Sequence, residues 1–198
     1  MAVSIDPIFV CAHTATSALG HGRAIHLRAL RERTTGLREN DFTHEPLACA
    51  IGRVDGLEQA VLPDSYAQFE CRNNRLAWLG LQADDFLEQA RATVRRHGAD
   101  RVALLLATST SSIGATEEAY TRLDDGQMPA DLRRSEVHTP HALGLFLERV
   151  IGTRGPCITT ATACSSSAKI FAQAERMIRL GVIDAAILAG VDTLCGSV

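Results

Sequence analysis

The run Cys157-Ile158-Thr159-Thr160-Ala161-Thr162-Ala163-Cys164-Ser165-Ser166-Ser167-Ala168-Lys169 constrains the fold of this chain more than any other segment. Ile158, Thr159 and Thr160 are β-branched and favour a strand. Ala161 to Ser167 is a tight run of small residues. Beyond it Ile170, Ala174, Met177 and Ile178 fall on one face of a helix. A strand, a short turn and a helix in direct succession form the repeating unit of a mostly parallel sheet covered by helices.

The rest of the chain alternates in the same way. Residues 8–12 read as a first strand, 14–22 as a Gly/Ser/Thr loop, and about 23–33 as a helix. Residues 48–54 read as a short edge strand. From Asn74 to His97 apolar residues recur at helical spacing (Leu76, Leu79, Phe86, Leu87, Ala90, Val94), and Gly98 provides a stop. The unbroken apolar run 102–107 reads as a buried strand. A short helix is expected over 117–123, then a turn at Asp124-Asp125-Gly126 and a polar loop over 127–134. Pro140 suits the first turn of a helix running to Val150. Strand 157–161, helix 164–180 and strand 184–189 complete the pattern. The fold class is α/β, with a mostly parallel five-stranded sheet covered by helices. Arg91, Arg95, Arg96 and Arg101 read as charge complementing the end of the helix before Gly98.

A chain of 198 residues can form one domain with a sizeable core. Its net charge of −3 gives no electrostatic footprint for nucleic acid, and its arginines are scattered. Lys169 is the sole lysine among the 20 basic residues. The six cysteines show no C-x-x-C spacing, which points to a reducing, cytoplasmic compartment. Residues 1–20 lack a basic start and carry Asp6, unlike a secretory signal. No apolar run approaches the roughly 20 residues needed to span a bilayer.

Cys164 opens the expected helix, where unpaired N–H groups and the positive dipole end favour thiolate over thiol. Small neighbours leave the sulfur uncrowded, and the same N–H groups can receive an oxyanion. Those features describe a covalent nucleophile for a thioester or ester, against the commoner reading of a free cysteine as a small buried hydrophobe. Ser166-Ser167-Ala168-Lys169 fits the S-x-x-K pattern of penicillin-binding enzymes, but neither S-D-N nor K-T-G occurs, and there is no G-x-S-x-G elbow. His138 and His141 are three apart, a spacing metal sites use, yet Pro140 lies between them and no third ligand is near in sequence. No metal site is expected.

In these residues the chain resembles the β-ketoacyl-acyl-carrier-protein synthases, the elongating condensing enzymes of the thiolase superfamily. Arg154-Gly155-Pro156 leads into the strand, Thr162-Ala163-Cys164-Ser165-Ser166-Ser167 makes the nucleophile turn, and Gly190-Val191-Asp192 closes the next strand. Ala107-Thr108-Ser109-Thr110-Ser111-Ser112-Ile113-Gly114 resembles the loop that lines the acyl pocket. Cys71-Arg72-Asn73-Asn74-Arg75-Leu76 stands where the family has a basic helix start that can touch the carrier protein. This last string and the Ser-Ser-Ser-Ala-Lys ending look most like ketosynthases of aryl-polyene-type clusters.

The resemblance implies a thiolase-like N-terminal half-domain over residues 1–198, with Cys164 as the catalytic residue. It implies substrate contacts from Thr110, Ser111 and His138, with Thr110 at the position that gates the acyl channel. Arg72 and Arg75 would contact the carrier. It also implies an acyl carrier protein as partner, a homodimer or ketosynthase heterodimer at full length, and no cofactor beyond the carrier's phosphopantetheine arm. The family's two catalytic histidines and supporting lysine lie in a second half that this chain does not contain, so the chain alone is not expected to condense and is expected to be poorly soluble. Two other readings stay open: a non-catalytic chain-length-type partner subunit, which usually lacks the cysteine, and a thiolase-superfamily acyltransferase that takes acyl-CoA.

Overall fold

Val102 to Ala107 are all buried, as their unbroken apolar run requires, and the other layers are arranged around them. The computed structural model describes residues 7–42 and 46–196; the ends of the expected 1–198 domain lie outside the described residues. In chain order a minimal hairpin, β1 (Thr16–Ser17) and β2 (Gly20–His21), leads into α1 (Arg23–Glu32). A second antiparallel pair follows, β3 (Leu37–Glu39) with β4 (Ala50–Gly52). Then come α2 (Arg72–Gln82), α3 (Phe86–His97), β5 (Val102–Ala107), α4 (Ile113–Thr121), α5 (Ala142–Ile151), β6 (Cys157–Thr160), α6 (Ser166–Arg179) and β7 (Ala185–Gly190). Among the described residues no helix is long and apolar enough to cross a membrane.

The main sheet has the order β6-β5-β7 and is parallel throughout. Side chains of β5 alternate between its faces. Val102, Leu104 and Leu106 enter one core with Leu143, Phe146, Leu147 and Val150 of α5 and with residues of α2 and α3. Ala103, Leu105 and Ala107 enter another with Ile170 and Ala174 of α6. The small alanines let α6 lie close to the sheet. Arg101 ties the lead-in of β7 to that of β5: its guanidinium bonds Asp184 and donates to the Gly181 and Val182 carbonyls. Arg91 donates to the Val150 carbonyl. These two arginines therefore serve carbonyls near the ends of α5 and α6, not the end of α3.

Several expectations need correction. Among the described residues the main sheet has three strands, not five. Residues 8–12 form no strand; Phe9 and Val10 are 77% and 69% exposed, so apolar content there is not matched by a sheet edge to pair with. The strand signal at 48–54 shortens to β4, which pairs with β3 in a separate sheet. The helix expected over 74–97 breaks at Asp84 and Asp85, both left-handed (φ 55° and 57°). Asp84 is held there because its carboxylate accepts the Arg23 backbone N–H that opens α1 and the Thr14 hydroxyl, both at 2.9 Å. Helical periodicity carries no trace of such a long-range cap. The helix expected from Glu117 begins at Ile113 and ends at Thr121, and Pro140 sits in the turn before α5.

Gly155 shows why a glycine stands in the Arg154-Gly155-Pro156 lead-in. A Cβ there would lie 2.5 Å from the Val102 carbonyl oxygen and 3.1 Å from that of Asp100. Backbone, not a flexible side chain, occupies the space. Gly155→Ala is expected to push β6 off β5 and destabilise by about 1–3 kcal/mol, the usual range for overpacking. A urea midpoint equal to that of the parent would contradict this.

Candidate active site

Parallel pairing brings Ala107, Thr160 and Gly190 level at the carboxyl ends of β5, β6 and β7. Open α/β sheets bind ligands beyond those ends. Three segments that stood out in the sequence emerge there together: the loop 108–112, the turn 161–165, and Val191-Asp192.

Cys164 is exposed, in a single 3-10 turn, Ala163–Ser165, that immediately precedes α6. It lies ahead of the helix, not at its first residue, because α6 begins at Ser166. The sulfur remains beside the N-terminal turn of a 14-residue helix. Only one face of α6 is buried, by Ser166, Ile170 and Ala174, while Phe171 is 54% exposed. Within this chain α6 is not enclosed on several sides.

The turn is held by hydroxyls. Ser166, 2% exposed, accepts the Thr162 N–H at 2.8 Å and shares its own proton between the Ala163 carbonyl (2.8 Å) and the Thr108 carbonyl (3.3 Å). The Ser165 hydroxyl donates to the Thr162 carbonyl at 2.9 Å. Ala163 needs this support, because its φ of 52° is left-handed. Such a conformation costs a non-glycine residue about 1–2 kcal/mol, and each hydrogen bond returns about 1 kcal/mol net. The bonds suffice to hold Cys164 where the turn places it.

The loop after β5 has the same character. Ser111, buried, is left-handed at φ 51°, and its N–H bonds the Thr108 hydroxyl at 2.7 Å. The Ser112 hydroxyl donates to the Val137 carbonyl. His138, next in the chain, places Nδ1 2.9 Å from the Thr116 hydroxyl and Nε2 2.5 Å from the Leu132 carbonyl. A carbonyl only accepts, so Nε2 carries a proton. The Ser112–Val137 bond ties the loop carrying Thr110 and Ser111 to the residue before His138. His141 turns the other way, its Nδ1 2.6 Å from the Thr159 hydroxyl. Among the described residues no cluster of His, Cys, Asp or Glu could hold a metal ion.

Arg72 and Arg75 are paired. Arg72 bonds Glu58 at 2.6 Å and stacks 4.7 Å from the Phe42 ring centroid, while Arg75 bonds Glu70. An open groove of about 560 Å³ runs between this start of α2, α4 and residues 193–196, and Arg72, Arg75 and Ser112 all line it. Sequence reasoning missed Ser166 and Thr108 as individual residues and took Asp192 only as the end of a strand motif. The available signal was a hydroxyl or carboxylate within six residues of each strand end.

The beta-ketoacyl synthase N-terminal domain family model matches residues 48–198. No curated protein sequence matches the chain. Among solved structures, a chain of the complex of the ketosynthase ApeO with its chain length factor ApeC from Xenorhabdus doucetiae is 28% identical, with a TM-score of 0.74. The match covers 90% of this chain and 45% of that one. The ketosynthase from module 6 of the Bacillus subtilis 168 bacillaene synthase is 16% identical with a TM-score of 0.64, covering 93% of this chain and 31% of that one. Ketosynthase twelve of the Bacillus amyloliquefaciens bacillaene polyketide synthase is 16% identical with a TM-score of 0.59, covering 92% and 33%. At such identity the two bacillaene ketosynthases share the fold alone. The chain spans less than half the length of each of these structures.

The thiols differ sharply in their surroundings. Burial raises the pKa of Cys71, and pushes that of Cys157 to about 11, whereas Cys164, Cys11 and Cys49 are exposed. A thiol held neutral and out of solvent is a poor nucleophile. Brief iodoacetamide treatment of the native chain should label Cys164, Cys11 and Cys49 and spare Cys71 and Cys157. Peptide mass spectrometry showing Cys71 modified before Cys164 would overturn this placement.

Proposed function

This chain belongs to the beta-ketoacyl synthase N-terminal domain family, and from that premise we propose that Cys164 is the acyl-accepting nucleophile of a β-ketoacyl-acyl-carrier-protein synthase. The observation that carries the reading is the exposed thiol at the head of α6, on the edge where all three parallel strands end. The Cys164 sulfur attacks the thioester carbonyl of an acyl-carrier protein. The tetrahedral oxyanion collapses with loss of the phosphopantetheine thiol, leaving the acyl group on Cys164. Malonyl-carrier protein then loses CO2, and its carbanion attacks the acyl-Cys164 thioester, forming the carbon–carbon bond and releasing the cysteine. The Cys164 N–H supplies one oxyanion donor. Decarboxylation and the second donor fall to groups outside this chain. The chemistry takes no metal or organic cofactor besides the carrier's own arm.

Thr110, Ser111 and His138 form the wall that the growing acyl chain meets. Arg72 and Arg75 face an acidic carrier protein; both are already paired, but a guanidinium has five N–H donors and can add a carboxylate without losing its first. The full-length protein is a cytoplasmic homodimer or ketosynthase heterodimer, of the aryl-polyene type. A chain-length-type partner subunit is the second reading, favoured by the similarity to a complex that contains a chain length factor. The presence of Cys164 weighs against it.

Intact-mass spectrometry after incubation with an acyl thioester separates the two, on both this chain and the full-length gene product. Full-length protein should gain the mass of one acyl group, and Cys164→Ala should gain none. No adduct on full-length protein, or an adduct that survives the substitution, would refute the assignment.

A further inference from the structure

We infer that Asp192 and Ser166 brace the loop 108–111 against the nucleophile turn, and so act as positioning residues for acyl-chain selectivity. The inference rests on the reading of Cys164 as acyl acceptor and concerns what fixes the wall beside it.

One carboxylate oxygen of Asp192 collects three donors from the loop after β5. They are the Thr108 hydroxyl at 2.8 Å, the Ser109 N–H at 2.7 Å and the Thr110 N–H at 3.3 Å. Thr108, 1% exposed, passes the constraint on: its hydroxyl donates to Asp192 and accepts the Ser111 N–H. Its carbonyl meets the Ser166 hydroxyl, and the same hydroxyl holds Thr162 and Ala163, the two residues that lead to Cys164. An unbroken chain of hydrogen bonds therefore joins β7, the loop after β5 and the turn after β6. Gly190 lets the third partner come close, since a Cβ there would stand 3.1 Å from the Ser167 hydroxyl.

Left-handed conformations occur on both sides of this chain of bonds, at Ser111 beside Thr110 and at Ala163 beside Cys164. Unfavourable backbone of this kind persists only where its surroundings over-determine it. Here the surroundings are the donors and acceptors just named. Releasing Asp192 frees Thr110 and Ser111 to relax, while Cys164 keeps its exposure and its place ahead of α6. The consequence falls on substrates long enough to touch the loop, not on the thiol itself.

The test uses the full-length gene product with Asp192→Ala, Asp192→Asn and Ser166→Ala, alongside Val150→Ala as a core substitution on the opposite face of the sheet. Three readouts are compared: alkylation of Cys164 by iodoacetamide, acylation by acetyl thioester, and acylation by dodecanoyl thioester. Asp192→Ala should lower the dodecanoyl-to-acetyl ratio about tenfold, with alkylation within about twofold of wild type, because ångström misplacement alone can cost about 100-fold. Ser166→Ala should lower the ratio as well and also slow alkylation, because Ser166 holds the turn before Cys164. Asp192→Asn should recover part of the ratio, since its amide oxygen still accepts the loop N–H groups more weakly than a carboxylate does. An unchanged ratio, the same shift in Val150→Ala, or alkylation of Asp192→Ala falling in parallel with its acylation would overturn the brace. If wild-type protein accepts no acyl group on Cys164, the nucleophile assignment fails and the inference falls with it; normal acylation with an unshifted ratio sinks the brace alone.

Discussion

Parallel pairing of β5 with a strand on each side is the constraint from which the site follows. Its register sets Ala107 opposite both Thr160 and Gly190, so three loops leave the sheet at one level. A slip of one residue along any ladder would shift a loop by about 3.3 Å and turn its side chains to the other face. The alternation in β5 forbids that slip. Leu104 and Leu106 fill the core under α5, whereas Ala103 and Ala107 leave only the space that α6 needs. Exchanging the two sets would put Val102, Leu104 and Leu106 beneath α6 and leave the α5 side with Leu105 and two alanines.

What the sheet cannot supply is the backbone direction just past its end. Each loop must turn sharply, and at Ser111 and Ala163 it does so through left-handed residues that are not glycine. A glycine would remove the strain and also the confinement, since it loses more conformational freedom on folding than other residues. Short hydroxyl side chains offer another solution. Thr108, Ser165 and Ser166 bond backbone groups within or beside their own turns and hold the chain without bulk. The same small side chains leave the Cys164 sulfur uncrowded, so local rigidity and substrate access have one cause.

The sequence revealed β5, β6, α6 and β7, because each rests on a pattern internal to a short segment: a continuous apolar run, β-branched residues, or helical spacing. Cys164 stood out for the same reason. Elements that depend on distant partners did not. The break at Asp84 is set by the N-terminus of α1 some 61 residues earlier, and the extent of β4 by pairing with β3. Phe9 and Val10 carried the composition of a strand but lacked an edge to join. Arg72 and Arg75 looked like free charge; Glu58 and Glu70, whose proximity no spacing rule predicts, bind them. The family string containing Asp192 was visible, but its three loop donors come from residues more than 80 positions away.

The exposed face of α6 bears on how precisely a nucleophile can be held. With only Ser166, Ile170 and Ala174 buried, the helix is clamped along one line, and rotation about that line is resisted chiefly by its ends. The carboxyl end is secured as Val182 and Gly181 bond back to the Met177 and Ile178 carbonyls and Arg101 grips the carbonyls that follow. At the amino end the corresponding link to the sheet is the Ser166 hydroxyl on the Thr108 carbonyl. Apolar burial sets which face of the helix meets the sheet, but it is non-directional and tolerates small sliding. The directional bonds at the two ends then fix the remaining freedom, one of them two residues from the sulfur.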